Sequence, residues 1–135
     1  QYIYDLYEQI ENSVICEFNT FVSNDPTHSY DGLYVALIDF IYKNGVLCNM
    51  LMSGNGGLDF QKRVNQLLEN NYLKIWLYED GKTDISAEMR YFTAYHIQGC
   101  MSIINLWIED NCNYPRKDIL ALLRKLNDHI EIIMP

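Results

Sequence analysis

Apolar residues recur at intervals of three and four along almost the whole chain, which is the spacing of amphipathic α-helices. No segment shows the single alternation of apolar and polar residues that is typical of a half-buried strand. Short turn-forming stretches separate the helical segments. The sequence therefore predicts an all-α protein, an antiparallel helical bundle of about five to six helices. The predicted helices cover 2–22, 29–42, the short segment 46–52, 58–78, 83–112 and a last segment from 115 onwards.

The segment 83–112 is predicted to be a long helix that is too apolar to serve one core. Wound at about 100° per residue, its apolar residues form one broad stripe. An ordinary surface helix buries an arc of roughly 100°, and this one is apolar over about twice that arc. Such a helix needs two partners, its own domain and either a second subunit or a ligand. The stripe consists of Ile85, Met89, Phe92, His96, Gly99, Ile103 and Trp107, with Tyr95 and Leu106 along one edge and Ile97, Cys100, Met101, Ile104 and Ile108 along the other.

Turn and capping residues mark the two ends of this long helix. Gly81 predicts a turn before it, and Thr83, Asp84 or Ser86 can cap its first turn. After it, Pro115 suits the first turn of the last helix, because proline there gives up no intrahelical hydrogen bond.

The composition fits a single helical domain over residues 1–135. The apolar share of 49% is too high for a disordered chain. The net charge of −8 argues against binding of DNA or of an anionic membrane by these residues alone, because such binding needs clustered Lys and Arg. No apolar run reaches the roughly 18 residues of a membrane span, and no signal peptide is visible. We therefore expect a cytoplasmic protein with no membrane partner.

The four cysteines show no CxxC spacing, and each lies in a helical or apolar context. We predict free thiols in the core, which suits a reducing cytoplasm. A redox sensor would need an exposed thiol of low pKa, and no basic neighbour in the sequence indicates one. The cysteines are Cys16, Cys48, Cys100 and Cys112.

Motifs for catalysis, metal binding or phosphate binding are missing from the sequence. His28, His96 and His129 lie too far apart for a local metal motif, and neither HExxH nor GxSxG occurs. The SGNGG stretch at 53–57 lacks the Lys-Ser/Thr of a phosphate loop and follows no strand, so it predicts a turn between helices. We predict no enzyme activity, no cofactor and no metal. His96, in the middle of the apolar stripe, is either a hydrogen-bonded core histidine or a polar contact that lines a pocket.

Two stretches of the chain resemble the C-terminal domain of the TetR family of bacterial transcriptional regulators. In YFTAYHIQGCMSIINLWIEDNCNYPRKDILALLRKL, an aromatic pair, a Gly, an apolar run, a Trp and a Pro-led helix follow one another as they do in that family. Upstream, FIYKNGVLCNMLMSGNGGLDFQKRV resembles the family's short helix and Gly turn. The resemblance is closest to the subgroup that includes dihydroxyacetone-kinase-regulator-like proteins. The positions that carry it are Tyr91, Phe92, Gly99, Ile103, Ile104, Trp107, Glu109, Pro115, Ile119, Leu122 and Leu123.

The resemblance implies a domain that binds a small effector or a protein partner and holds a homodimer. The family's N-terminal helix-turn-helix is absent from these residues, so DNA contact is expected only through that missing domain. In the family, the last two helices form a four-helix interface with the second subunit. The dimer residues expected on this basis are Gly99, Ile103, Leu106, Trp107, Leu122, Leu126 and Ile130.

A bundle rich in Tyr and Met is suited to line a ligand cavity, because these side chains combine apolar surface with polar or polarizable groups. We expect such a cavity between the first helix, the fourth helix and the first half of the long helix. The alternative hypothesis is a helical interaction module that dimerises or binds a protein without a small ligand. The candidate ligand-binding residues are Tyr72, Trp76, Met89, Phe92, Tyr95 and His96.

Overall fold

A computed structural model describes residues 2–24, 28–53 and 57–134, and these residues fold into six α-helices. No strand occurs within the described ranges, which confirms the all-α prediction. The helices are α1 (Tyr2–Ser23), α2 (Tyr30–Lys43), α3 (Gly45–Ser53), α4 (Gly57–Asp80), α5 (Ala87–Glu109) and α6 (Arg116–Ile133).

Local sequence signals set several helix ends. The Ser86 side chain caps α5 by accepting a hydrogen bond from the Met89 backbone N–H, and Gly81 adopts the left-handed φ of 62° after α4. The predicted first-turn position of Pro115 is wrong by one residue. Its ψ of 137° is extended, so Pro115 precedes α6 as its N-terminal cap. Of the predicted turn at 53–57, the middle residues 54–56 lie outside the described ranges.

The second helix lies at the centre of the fold. It contacts α1, α3, α4 and α6, and eight of its 14 residues are buried. At Asn44 the chain bends by 92° into α3. Within the described residues, no single helix is both long and apolar enough to cross a membrane. Only the bent pair of α2 and α3 together reaches that length and composition.

The apolar arc of α5 is divided between the core and an uncovered side. This helix packs against α3, α4 and α6. The centre of its buried side lies about 80° around the helix from the central row of the predicted stripe, towards the edge that carries Ile97, Cys100 and Ile104. Ile85, the first residue of that stripe, precedes the helix and is exposed. The buried residues are Met89, Thr93, His96, Ile97, Cys100, Met101, Ile104, Trp107 and Ile108.

A tight turn joins α5 to α6. Asn111 and Cys112 both adopt left-handed backbone angles, with φ of 55° and 56°. The buried Trp107 holds this turn in place, because its Nε1 donates to the Tyr114 carbonyl at 2.9 Å. The Trp107 carbonyl in turn accepts from the Cys112 backbone N–H at 2.9 Å. Trp107, predicted for the dimer interface, therefore serves the fold of its own chain.

The cysteines are free, as predicted, but they do not all lie in the core. Cys48 and Cys100 are buried and Cys112 is half-buried. Cys16 is exposed, so the prediction of a core thiol is wrong at this position. It lies on the solvent side of α1, whose core contacts come from flanking residues such as Val14 and Phe18.

Two ion pairs connect α2 to α6 along their contact. Arg124 donates to both carboxylate oxygens of Asp31, at 2.5 and 3.0 Å. Arg116 lies 3.4 Å from an oxygen of Asp39. These side chains are roughly half exposed, so solvent screens both pairs and they add little to stability.

Candidate functional site

A group of polar aromatic side chains is buried where α2, α4, α5 and α6 meet. The Tyr34 hydroxyl lies 2.5 Å from His96 Nε2 and donates to Asn127 Oδ1 at 2.8 Å. The Tyr72 hydroxyl donates to the same Asn127 oxygen at 3.0 Å. The ring of Tyr30 stacks on Tyr72, with centroids 4.2 Å apart and planes inclined by 24°. We call Tyr30, Tyr34, Tyr72, His96 and Asn127 the polar cluster.

The hydrogen bonds of the polar cluster fix the tautomer of His96. A tyrosine hydroxyl has one proton, and that of Tyr34 is directed at Asn127. The contact between Tyr34 and His96 then requires that His96 carries its proton on Nε2 and donates to the Tyr34 oxygen. Each helix around the cluster thus contributes a side chain to one connected network.

The polar cluster is uncharged at neutral pH. Burial lowers the pKa of His96 to about 4, so its imidazole is neutral. Burial likewise raises the pKa of Tyr34 and of Tyr72, so both phenols keep their protons. The neighbouring Cys100 thiol, whose sulfur lies 3.7 Å from His96 Nε2, has its pKa raised to about 12 by burial. The cluster can therefore offer hydrogen bonds and aromatic surface, but no charge of its own.

Two buried hydroxyls near this network lack a hydrogen-bond partner among the described residues. They belong to Tyr30, at the edge of the cluster, and to Thr93, one turn before His96 on α5. Leaving a buried polar group unpaired costs about 1–3 kcal/mol. Buried polar atoms in native proteins are usually satisfied, so an unpaired hydroxyl indicates a position for water or a ligand.

The candidate ligand-binding residues divide into two groups in the structure. Tyr72, Trp76, Met89 and His96 are buried together, whereas Phe92 is half-buried and Tyr95 is 74% exposed. The predicted surroundings also differ. His96 and Tyr72 contact side chains of α2 and α6, whereas the sequence predicts α1 beside them.

Three members of the polar cluster were missed from the sequence, namely Tyr30, Tyr34 and Asn127. One signal could have revealed Asn127. It stands on the apolar side of α6, in phase with Ile119, Leu123 and Ile130. A lone amide among apolar positions needs a buried partner. No comparable signal marks Tyr30 or Tyr34, which look like ordinary core aromatics.

An open groove of about 360 Å³ lies outside the polar cluster, and residues of α1, α2 and α4 line it. Its rim carries the ring pair of His28 and Tyr78, whose centroids lie 5.9 Å apart. The groove is lined by Val22, Ser23, His28, Ser29, Leu33, Asn71, Lys74, Ile75 and Tyr78.

A second feature is an apolar surface on α5 and α6 that no described residue covers. Leu106 is 67% exposed and Leu122 is 37% exposed, whereas Ile103 and Leu126 are half-buried. No atom lies within 4 Å of the position that a side chain at Gly99 would take. Ile130 and Trp107, expected on this surface, are instead buried within the chain. We call Tyr95, Gly99, Ile103, Leu106, Leu122 and Leu126 the open face.

Carboxamide side chains border the open face on the side of α4. Asn65 donates to Gln98 Oε1 at 2.6 Å, while the side-chain oxygens of Asn65 and Asn105 lack a partner among the described residues. These amides line a surface groove of about 490 Å³ that also includes Tyr95, Gly99 and Leu126. Apolar surface next to unpaired amides is typical of the core and rim of a protein interface.

Comparison with known proteins gives one family. Residues 28–129 match the model of a family described as a transcriptional regulator C-terminal region. This span includes all of α2 to α5 and most of α6, and hence both the polar cluster and the open face. No curated protein and no solved structure matches the chain at a significant level.

Proposed function

The chain belongs to the family of C-terminal regions of TetR transcriptional regulators, and from this membership we propose that it is a regulatory domain that forms a homodimer and binds a small effector. The family consists of regulatory domains and not of enzymes. Assignment to the dihydroxyacetone-kinase-regulator-like subgroup remains a prediction from the sequence, as do a bacterial source and a cytoplasmic location.

The open face is the observation that carries the proposal. Leu106 and Leu122 project from neighbouring helices, and water would cover both in an isolated chain. A contiguous apolar surface of this kind marks an interaction site. Gly99, two turns before Leu106 on α5, allows the backbone of another helix to approach closely, since no side chain blocks it. A two-fold pairing of α5 and α6 would form a four-helix interface, for which obligate dimers bury about 2,000 Å² or more in total.

The polar cluster supports the binding of an effector. It joins α2, α4, α5 and α6 through one network, and α5 and α6 also carry the open face. A ligand that takes over any of these hydrogen bonds would change how the four helices pack against one another. It could then favour one of two arrangements of the dimer, which is the general requirement for a ligand-driven switch.

A protein-interaction module without a small ligand remains the second candidate. The complete burial of Tyr72 and Met89 favours it, because these two candidate ligand contacts are filled in by neighbouring side chains. In that case the open face would bind a different protein and the polar cluster would only specify the core.

Contact with DNA is not part of the proposal for these residues. The chain carries ten Lys and Arg against 18 Asp and Glu. Phosphate binding would need a cluster of basic groups. We propose that operator binding belongs to a separate helix-turn-helix domain.

Two measurements test the proposed function. Sedimentation velocity of the wild-type chain at micromolar concentration should show a dimer. A thermal-shift screen of small metabolites should find a compound that stabilises the chain by about 2.7 kcal/mol at 100 times its Kd. Its effect should be smaller in Tyr34→Phe, which breaks the polar cluster. A monomer in sedimentation would overturn the dimer, and equal stabilisation of both proteins by every compound found would overturn the role of the cluster.

A further inference from the structure

The groove of about 360 Å³ between the end of α1, the start of α2 and the second half of α4 is a compact concave site. We call it the His28 groove. Four of its lining residues, Asn71, Lys74, Ile75 and Tyr78, are three or four positions apart on α4, so they lie on one side of that helix. The volume of the groove falls within the range of about 300–1,000 Å³ that is usual for small-molecule sites.

The inner surface of the His28 groove is apolar. Val22 of α1, Leu33 of α2 and Ile75 of α4 line it, and all three side chains are buried. At the rim, the exposed ring of Tyr78 lies beside the ring of His28, with centroids 5.9 Å apart. A ligand with an apolar or aromatic body would remove this surface from water, which favours binding.

The electric charge in the His28 groove comes from one side chain. Lys74 is the charged member of the described lining, which contains no Asp or Glu. Lys74 is exposed, and it takes part in neither of the two ion pairs within the described ranges, which both join α2 to α6. The chain as a whole carries 18 Asp and Glu against ten Lys and Arg. A groove with a cation and no lining carboxylate therefore favours a negatively charged ligand.

The single cation indicates which anion fits. A phosphate monoester carries about two negative charges near pH 7, and one lysine balances only one of them. A carboxylate carries one charge on two acceptor oxygens. One oxygen can accept from the Lys74 ammonium, and the other can accept from the hydroxyl of Ser23, which lines the same groove.

We propose that the effector of this domain is a small organic carboxylate with an apolar body and that it binds in the His28 groove. Its carboxylate lies against Lys74 and Ser23, and its apolar body covers Val22, Leu33 and Ile75. This assignment rests on the proposed function, because it names the chemical class and the position of the effector.

The His28 groove is connected to the polar cluster through α2 and α4. Leu33 directly precedes Tyr34 on α2, and Ile75 follows Tyr72 by three positions on α4. Tyr34 and Tyr72 both donate to Asn127 on α6. A ligand between α1, α2 and α4 therefore acts on the two helices that the polar cluster joins to α5 and α6, which carry the open face.

The test is an NMR titration of the isotope-labelled whole chain with phenylpropanoate, which reports the Kd and the position of binding together. Phenylpropanamide is the uncharged match of equal shape, and acetate has the charge without the apolar body. Phenylpropanoate should bind more tightly than phenylpropanamide, and acetate should not bind measurably. The largest backbone shifts should occur at Ser23, Ser29 and Tyr78. The ring signals of His96 should also shift at saturation, since the groove acts on the polar cluster.

A pair of lysine substitutions separates the site from the general charge of the chain. Lys74→Met keeps most of the aliphatic stem and removes the charge. It should weaken phenylpropanoate binding about three- to fivefold, the range of a solvent-exposed charge pair, and leave phenylpropanamide binding unchanged. Lys62→Met removes another exposed cation of α4, outside the groove, and should change neither affinity.

A pair of tyrosine substitutions tests the apolar contact. Tyr78→Ala removes a rim ring of the groove and should weaken both phenyl compounds about threefold. Tyr91→Ala removes a ring that is equally exposed on α5, outside the groove, and should weaken neither.

Four results would overturn the carboxylate site. They are failure of phenylpropanoate to bind, equal affinity for the carboxylate and the amide, equal weakening in Lys74→Met and Lys62→Met, and largest shifts away from the groove. Binding in the groove without a shift of the His96 ring signals would overturn the role of the carboxylate as effector. If the site fails while the chain is a dimer and an uncharged compound stabilises the wild type more than Tyr34→Phe, the proposed function stands. If phenylpropanoate binds in the groove of a monomer, the site stands and the proposed dimer fails.

Discussion

Tyr34 Oη lies 2.5 Å from His96 Nε2, although 62 positions separate the two residues in the chain. The same hydroxyl donates to Asn127 on α6. One side chain of α2 therefore joins the two helices that carry the open face. The contact is buried, so its loss is not compensated by water.

Removal of this hydroxyl should destabilise the fold. In Tyr34→Phe, the Nε2–H of His96 loses its acceptor, and Asn127 Oδ1 keeps only the bond from Tyr72. We expect the free energy of unfolding to fall by about 1–3 kcal/mol, the usual cost of unpaired buried polar groups. Urea denaturation followed by circular dichroism measures the change.

The chain provides a matched control for that substitution. Tyr30 is also buried beside Tyr72, but its hydroxyl has no hydrogen-bond partner within the part of the chain that the structure describes. Tyr30→Phe should therefore leave stability unchanged or raise it slightly. If both variants lose the same stability, the effect comes from the loss of a phenolic oxygen in general and not from the bond between Tyr34 and His96.

The sequence predicted those parts of the fold that depend on local signals. Helix spacing, the Ser86 cap and the Gly81 turn all act within a few residues, and the structure shows them where they were expected. The division of α5 into a core side and an open face was beyond the sequence. Apolar residues on both sides look alike, and only packing against α3, α4 and α6 decides which ones remain uncovered.

The candidate site was predicted only in part, for a similar reason. His96, Tyr72, Trp76 and Met89 could be grouped because they lie on adjacent helices in phase with the core. Tyr34 could not, since its role depends on the placement of α2 between α4 and α6. Periodicity along one helix carries no information about which polar group from a distant helix will meet it.

Charge on the open face should prevent dimerisation. Leu106→Glu places a carboxylate in the middle of the proposed interface, where pairing would bury it without a partner. Because Leu106 is 67% exposed in the single chain, the subunit itself should remain folded. Sedimentation velocity should show a monomer with unchanged helical content.

Ile132→Glu is the matched control for that variant. Ile132 is also an exposed apolar residue, at 81%, but it lies about 80° around α6 from Leu122 and about 120° from Leu126. The Ile132→Glu variant should therefore remain dimeric. If Leu106→Glu and Ile132→Glu associate alike, the interface lies on another surface.

Thiol reactivity should distinguish Cys16 from the other cysteines. Cys16 is exposed, whereas burial raises the pKa of Cys48 to about 11 and that of Cys100 to about 12. At about pH 8, only about one Cys100 thiol in ten thousand is ionised, and the thiolate is the reactive form. Ellman's reagent should therefore modify one thiol of the native chain rapidly. Cys16→Ser should abolish the rapid phase, and a rapid phase that survives would place the reactive thiol elsewhere.

The stability of the chain should depend on pH through His96. Its pKa is about 4 in the folded chain and about 6.5 when unfolded. Between these values the unfolded chain binds the extra proton, so the free energy of unfolding falls as the pH falls from about 6.5 to about 4. From about pH 7.5 to about pH 5, the expected loss from this group is about 2 kcal/mol.

Other groups titrate over part of the same range, and a difference measurement removes them. Burial raises the pKa of Glu69 and of Glu79, so these two groups stabilise the folded chain as the pH falls. The hydrogen bond with Arg124 lowers the pKa of Asp31, so this group destabilises the folded chain as the pH falls. These carboxylates are present in both the wild type and His96→Gln, so their contributions cancel. Urea midpoints at the two pH values should show a stability loss that is about 2 kcal/mol larger in the wild type than in His96→Gln. Equal losses would mean that His96 keeps an ordinary pKa and is open to water, which would contradict its place in the buried network.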